Sequence, residues 1–178
     1  MDWARLHAAL NDLPAALLLV AVLFDGLGAI LRRESLKAAG FWTLVTGVVG
    51  TLLAIGAGLM AEDAVEHTGR AHDLMERHET LAFVVLGIFA VLLLWRIIRR
   101  TMARTETTMY LTVGVVGIAI LVFASKIGGS LVFDHALGVR TERLQAIQQE
   151  RQNAGPAEHE HEQGEEHDSA GAAAQPAR

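Results

Sequence analysis

The chain has 178 residues, 52% of them hydrophobic, with a mean hydropathy of +0.33 and a formal net charge of −5. It has no cysteine, which excludes disulfides, thiolate metal sites, iron–sulfur clusters and covalent c-type haem attachment. Six of the twenty acidic residues lie in residues 157–178, so the rest is close to neutral and nothing resembles a nucleic-acid footprint.

In chain order, residues 1–12 come first. Trp3, Leu6, His7 and Leu10 form an apolar stripe at helical spacing, predicting an interfacial helix with Asp2 as a cap. No basic cluster precedes the first apolar run, so span one is expected to stay in the membrane as an anchor rather than be cleaved. Four apolar runs follow, Leu13–Leu31, Ala39–Met60, Leu81–Ile98 and Thr107–Ile127. Each approaches the ~20 residues that cross a ~30 Å hydrocarbon layer as a helix. They predict an all-α integral membrane four-helix bundle over residues 13–139.

Asp25 lies inside span one, where a carboxylate costs a few kcal/mol and should face the bundle rather than lipid. It reads either as hydrogen-bonding glue or as a proton or ion relay. Thr46, Thr112 and a snorkelling Arg96 are expected at comparable depth.

Arg32, Arg33 and Lys37 crowd the first link, and Arg96, Arg99, Arg100 and Arg104 crowd the third. The positive-inside rule makes both links cytoplasmic. This predicts a multi-pass protein of the bacterial inner membrane with both termini, and all eight histidines, on the periplasmic side.

Span two holds Gly47-Val48-Val49-Gly50 and span four Gly114-Val115-Val116-Gly117, an offset of 67 residues. The repeat predicts two related hairpins about a pseudo-two-fold axis along the membrane normal. Its small residues let helix backbones approach closely.

The link at residues 61–80 reads as helical. Asp63 with His67, and His72 with Glu76, are spaced i, i+4. Such pairs are either metal chelators or solvated ion pairs. His78 and His135 lie against the outer ends of spans three and four, with His7 a third candidate at the start of span one. Together they suit the axial ligation of haem b, or a divalent metal, from facing helices.

Residues 140–178 read as a polar helix, Val139–Asn153, stopped by Gly155-Pro156, then a disordered tail. His159 and His161 alternate with glutamates there, either as weak metal ligands or as part of a solvated acidic tail.

Three stretches carry a family resemblance: Leu6-His7 with Leu13-Pro14 leading into Leu23-Phe24-Asp25, the approach from His72 to His78, and Gly128-Gly129-Ser130-Leu131-Val132-Phe133-Asp134-His135. Over about residues 6–139 the chain resembles the bacterial four-helix membrane proteins filed as domain of unknown function 2231. It departs from their pattern at Ala8, where proline is usual, at Asn11-Asp12, where a second histidine often stands, and at Ala136, where glycine does. The resemblance implies fold and membrane location. Its arrangement is similar to small membrane-bound b-type cytochromes at the level of fold.

The functional expectation is haem b or metal binding at the periplasmic face by His7, His78 and His135, serving electron transfer or metal handling. It implies the lipid bilayer as environment and a membrane or periplasmic redox partner. The alternative is a cofactor-free scaffold or partner subunit, and a solute or proton carrier through Asp25 is a third class. No nucleophile–base–acid set points to an enzyme.

Overall fold

The computed structural model describes residues 3–62, 69–99, 104–135 and 141–153, the side chains of Arg70 and Thr141 excepted. Among them are five helices and no strand: α1 (Trp3–Leu31), α2 (Glu34–Glu62), α3 (Arg70–Ile98), α4 (Arg104–Phe133) and α5 (Thr141–Asn153). Residues 1–139 form one unit and 140–178 another. In the latter, α5 is a polar helix with Ile147 exposed.

Helices α1 to α4 are each long and apolar enough to span a membrane. At 29 residues, α1 is about 43 Å long at 1.5 Å per residue. It therefore outruns the ~30 Å hydrocarbon layer. Hydropathy marks only the part of a helix that meets lipid, while its hydrogen bonds continue into the headgroups. For the same reason the described part of the expected interfacial helix, residues 3–12, is the first turns of α1 rather than a separate element. Helix α1 runs unbroken through Pro14, whose ring sits over Gly50 of α2. Proline removes one backbone hydrogen bond, and helix packing in a bilayer tolerates that loss.

Helix α1 packs chiefly on α2, and α3 chiefly on α4, while the seams α2/α3 and α1/α4 are looser. The hairpins are thus the tight units, and α1 and α3 lie diagonally across the bundle. The first hairpin turns with Arg32 in the left-handed region, φ 54°. The Arg33 N–H reaches back to the Gly28 carbonyl oxygen at 3.2 Å, closing the helix end. The core runs through Leu18, Ala21, Leu44, Val85, Phe89, Leu92 and Tyr110. Large apolar side chains such as Leu19, Leu52, Val91 and Phe123 point outward. In a spanning bundle that outer surface meets lipid rather than water.

The two hairpins repeat each other, in a register that differs from the one expected. Gly47 faces Leu18, and Gly117 faces Phe89. Gly117, not Gly114, therefore answers to Gly47, three residues from the alignment of the Gly-Val-Val-Gly words. A slip of three residues is close to one helical turn, so the misaligned words still occupy similar faces. In the true register α3 follows α1 by 71 positions and α4 follows α2 by 70. Pro14, Leu18 and Ala21 then correspond to the buried Val85, Phe89 and Leu92. Gly40, Leu44, Gly47, Ala54 and Ala61 correspond to Tyr110, Gly114, Gly117, Ala124 and Leu131, all ten buried.

Candidate cofactor site

The same register places His7 on His78. Their rings meet across the bundle from the diagonal helices α1 and α3, with centroids 6.3 Å apart and planes at 84°. His7 Nδ1 donates to the Ala54 carbonyl oxygen of α2 at 2.8 Å, and His78 Nδ1 donates to the Ala124 carbonyl oxygen of α4 at 3.0 Å. One turn beyond each acceptor stands a glycine. A Cβ on Gly58 would come within 3.0 Å of the His7 ring, and one on Gly128 within 2.9 Å of the His78 ring. Each glycine opens the notch through which an imidazole reaches a helix carbonyl.

These bonds fix the chemistry of the rings. A carbonyl oxygen carries no proton, so Nδ1 must hold the hydrogen in both imidazoles. In the neutral form Nε2 is then left as the acceptor, so the two hairpins together offer two nitrogen ligands. A histidine whose other nitrogen donates to a backbone carbonyl is the usual arrangement of a metal ligand.

Both histidines line a cavity of about 330 Å³. It extends toward both inter-hairpin seams. Ala4, Ala8, Asn11 and Ser125 line it at the α1/α4 seam, and Ile55, Leu59, Met75 and Glu79 at the α2/α3 seam. The space is a slot between the hairpins, crossed by the His7–His78 axis.

The remaining sequence candidates lie elsewhere. His135 follows α4 and its Nδ1 donates to the Ser130 carbonyl oxygen at 3.3 Å, and it is not among the residues lining the slot. The structure therefore pairs His78 with His7, where the sequence had offered His135 first. His72 is exposed on α3. Asp63, His67, His159 and His161 lie outside the described residues, as does the tail. Among the described residues no three histidine, cysteine, aspartate or glutamate side chains gather as a metal site.

Asp25 occupies the opposite half of the bundle and is not alone. Its side chain is 6% exposed, and one oxygen pairs with the Arg96 guanidinium. The other accepts a hydrogen bond from the Tyr110 hydroxyl at 2.9 Å. Arg96 also donates to the Lys37 carbonyl oxygen and lies 5.8 Å from the centre of the Phe41 ring. Rather than snorkelling outward, Arg96 turns in. Gly40 leaves room for the carboxylate, because a Cβ there would collide with it. Thr46 and Thr112 play no part, each bonding back to a carbonyl one turn earlier on its own helix. The signal for the Asp25–Arg96 pair was present in the sequence, since the two residues are equivalent in the 71-residue register.

Fold and site together define a polytopic α-helical membrane protein built of two equivalent hairpins, with an imidazole pair between them. The chain belongs to the family of predicted membrane proteins designated DUF2231, whose model matches residues 4–141. No curated protein and no solved structure matches it.

Proposed function

We propose that this protein is a b-type haem protein that carries electrons at the periplasmic face of a bacterial inner membrane, in which His7 and His78 would hold the haem iron. The observation that carries the reading is the His7–His78 ring pair, with centroids 6.3 Å apart and each ring anchored at Nδ1 by a helix carbonyl. Two metal–nitrogen bonds of about 2 Å each, plus the two short ring radii, come to about 6 Å. The choice of haem over a bare ion follows from ligand number. A divalent ion asks the protein for three or four ligands. Haem iron brings four porphyrin nitrogens and asks for two, which is what the slot offers. The cavity is lined from all four spans and reaches toward both inter-hairpin seams, so it need not enclose the whole macrocycle.

When bound, haem supplies one-electron redox chemistry. The chain's own part is to orient both rings through the Ala54 and Ala124 carbonyls and to surround them with apolar helix faces. The site lies at the bundle end opposite the basic links, which the positive-inside rule assigns to the cytoplasm. Electrons would pass to a redox partner in the membrane or periplasm. The alternative, a cofactor-free partner subunit, rests on the fact that both imidazoles already have a helix carbonyl as partner.

The test is a reduced-minus-oxidised absorbance spectrum of the detergent-purified chain produced with ample haem. Low-spin Soret and alpha bands are expected, and should be lost in both His7→Ala and His78→Ala but kept in His135→Ala. A featureless spectrum from folded protein would leave the partner-subunit reading.

A further inference from the structure

The slot holds one donor that the haem reading leaves unused. Met75 lines the cavity from α3, three residues before His78, so the two side chains share a face of that helix. Met75 is the only sulfur among the lining residues. In the 71-residue register its equivalent on α1 is Ala4, so the repeat of the hairpins does not account for it. Glu62 and Glu79 also line the cavity, yet among the described residues no three histidine or carboxylate side chains gather as a metal site. What the lining adds to the imidazole pair is therefore a thioether rather than a carboxylate.

That donor set is soft. Thioether and imidazole ligands suit Cu(I), whereas carboxylate and carbonyl oxygens suit Mg, Ca and Mn. Zinc takes thiolate, imidazole or carboxylate. A monovalent ion also brings less charge into an apolar slot, where unpaired charge is costly. We infer that the chain without the macrocycle binds one cuprous ion in the slot, on His7, His78 and Met75. The carbonyls of Ala54 and Ala124 hold Nδ1 of each ring and leave Nε2 to the metal. The 6.3 Å ring spacing leaves room for two metal–nitrogen bonds, as it does for haem. Met75 supplies the third donor, and its unbranched, three-bond side chain lets the sulfur adjust to the ion. The inference goes beyond the haem reading and does not rest on it: the two ligands exclude each other, and each can fail alone.

The experiment titrates the purified, haem-free full-length protein anaerobically with Cu(I) against a chromogenic Cu(I) chelator, and with Zn(II) in parallel. One equivalent of Cu(I) should bind, and X-ray absorption should show sulfur beside nitrogen around the copper. Met75→Leu keeps the side chain's size and apolarity. It should weaken Cu(I) about tenfold or more, at least the loss that follows from removing a hydrogen-bond partner of a metal ligand. It should also remove the sulfur signal while leaving Zn(II) and haem binding unchanged. Prior loading with haem should block Cu(I). Unchanged Cu(I) affinity in Met75→Leu, or a copper shell without sulfur, would overturn the site. So would Cu(I) binding that survives in the double variant His7→Ala, His78→Ala, which would put the metal on other histidines such as His159 and His161. A chain that binds Cu(I) but no haem would overturn the haem reading and leave the copper site standing. A chain that binds haem but no Cu(I) would do the reverse.

Discussion

At the scale of single residues, two glycines decide whether the imidazoles can sit where they do. A Cβ on Gly58 or Gly128 would come inside ordinary van der Waals contact with the ring of His7 or His78. The rings cannot yield without leaving the carbonyls of Ala54 and Ala124. Gly58→Ala and Gly128→Ala should therefore keep the fold but weaken haem binding, each costing about 1 kcal/mol or more for the lost ring–carbonyl bond. Titration of haem into each variant beside a thermal melt separates the two effects. The sequence offered both histidines as candidates but could not say that they face each other. That fact depends on the hairpin register, and one-turn slips in an apolar repeat leave the hydropathy pattern unchanged.

At the scale of elements, close approach of α1 to α2 depends on small residues on one face alone. A Cβ on Gly47 would meet the Leu18 side chain at 2.8 Å, whereas one on Gly26 would meet nothing within 4 Å. Gly47→Ala should destabilise the first hairpin by about 1–3 kcal/mol through overpacking. Gly26→Ala should stabilise α1 by about 0.5–1 kcal/mol, the ordinary helix preference for alanine. Unfolding in mixed detergent would show opposite signs for the two. The four spans and their order were legible from hydropathy, and so was the small-residue stripe. Which glycine pairs with which was not, because Gly-Val-Val-Gly is too common a word in apolar helices to fix a register.

At the scale of the whole molecule, the Asp25–Arg96–Tyr110 network ties α1 of one hairpin to α3 and α4 of the other. Breaking a buried ion pair from one side leaves an uncompensated charge. Arg96→Met should cost about 3–5 kcal/mol, and adding Asp25→Asn should recover a large part of that loss. Thermal stability of the two variants in detergent reads out the difference. If the single and double variants melt together, the pair contributes nothing to holding the hairpins. The network stands at the bundle end with the basic links, and the histidine slot at the other. The looser seams are thus bridged by charge at one end and, in the proposed function, by a ligand at the other.

The sequence by itself determined that the chain is a four-span helical membrane protein with related hairpins and with histidines near the helix ends away from the basic links. Each of those properties is written in local composition: apolar length, basic links, glycine spacing. Tertiary structure decided that His7 meets His78 rather than His135, and that Arg96 turns in to Asp25 rather than snorkelling outward. Both depend on the rotation and axial offset of one hairpin against the other. Those are set by side-chain interlocking across the seams, to which local hydropathy is blind.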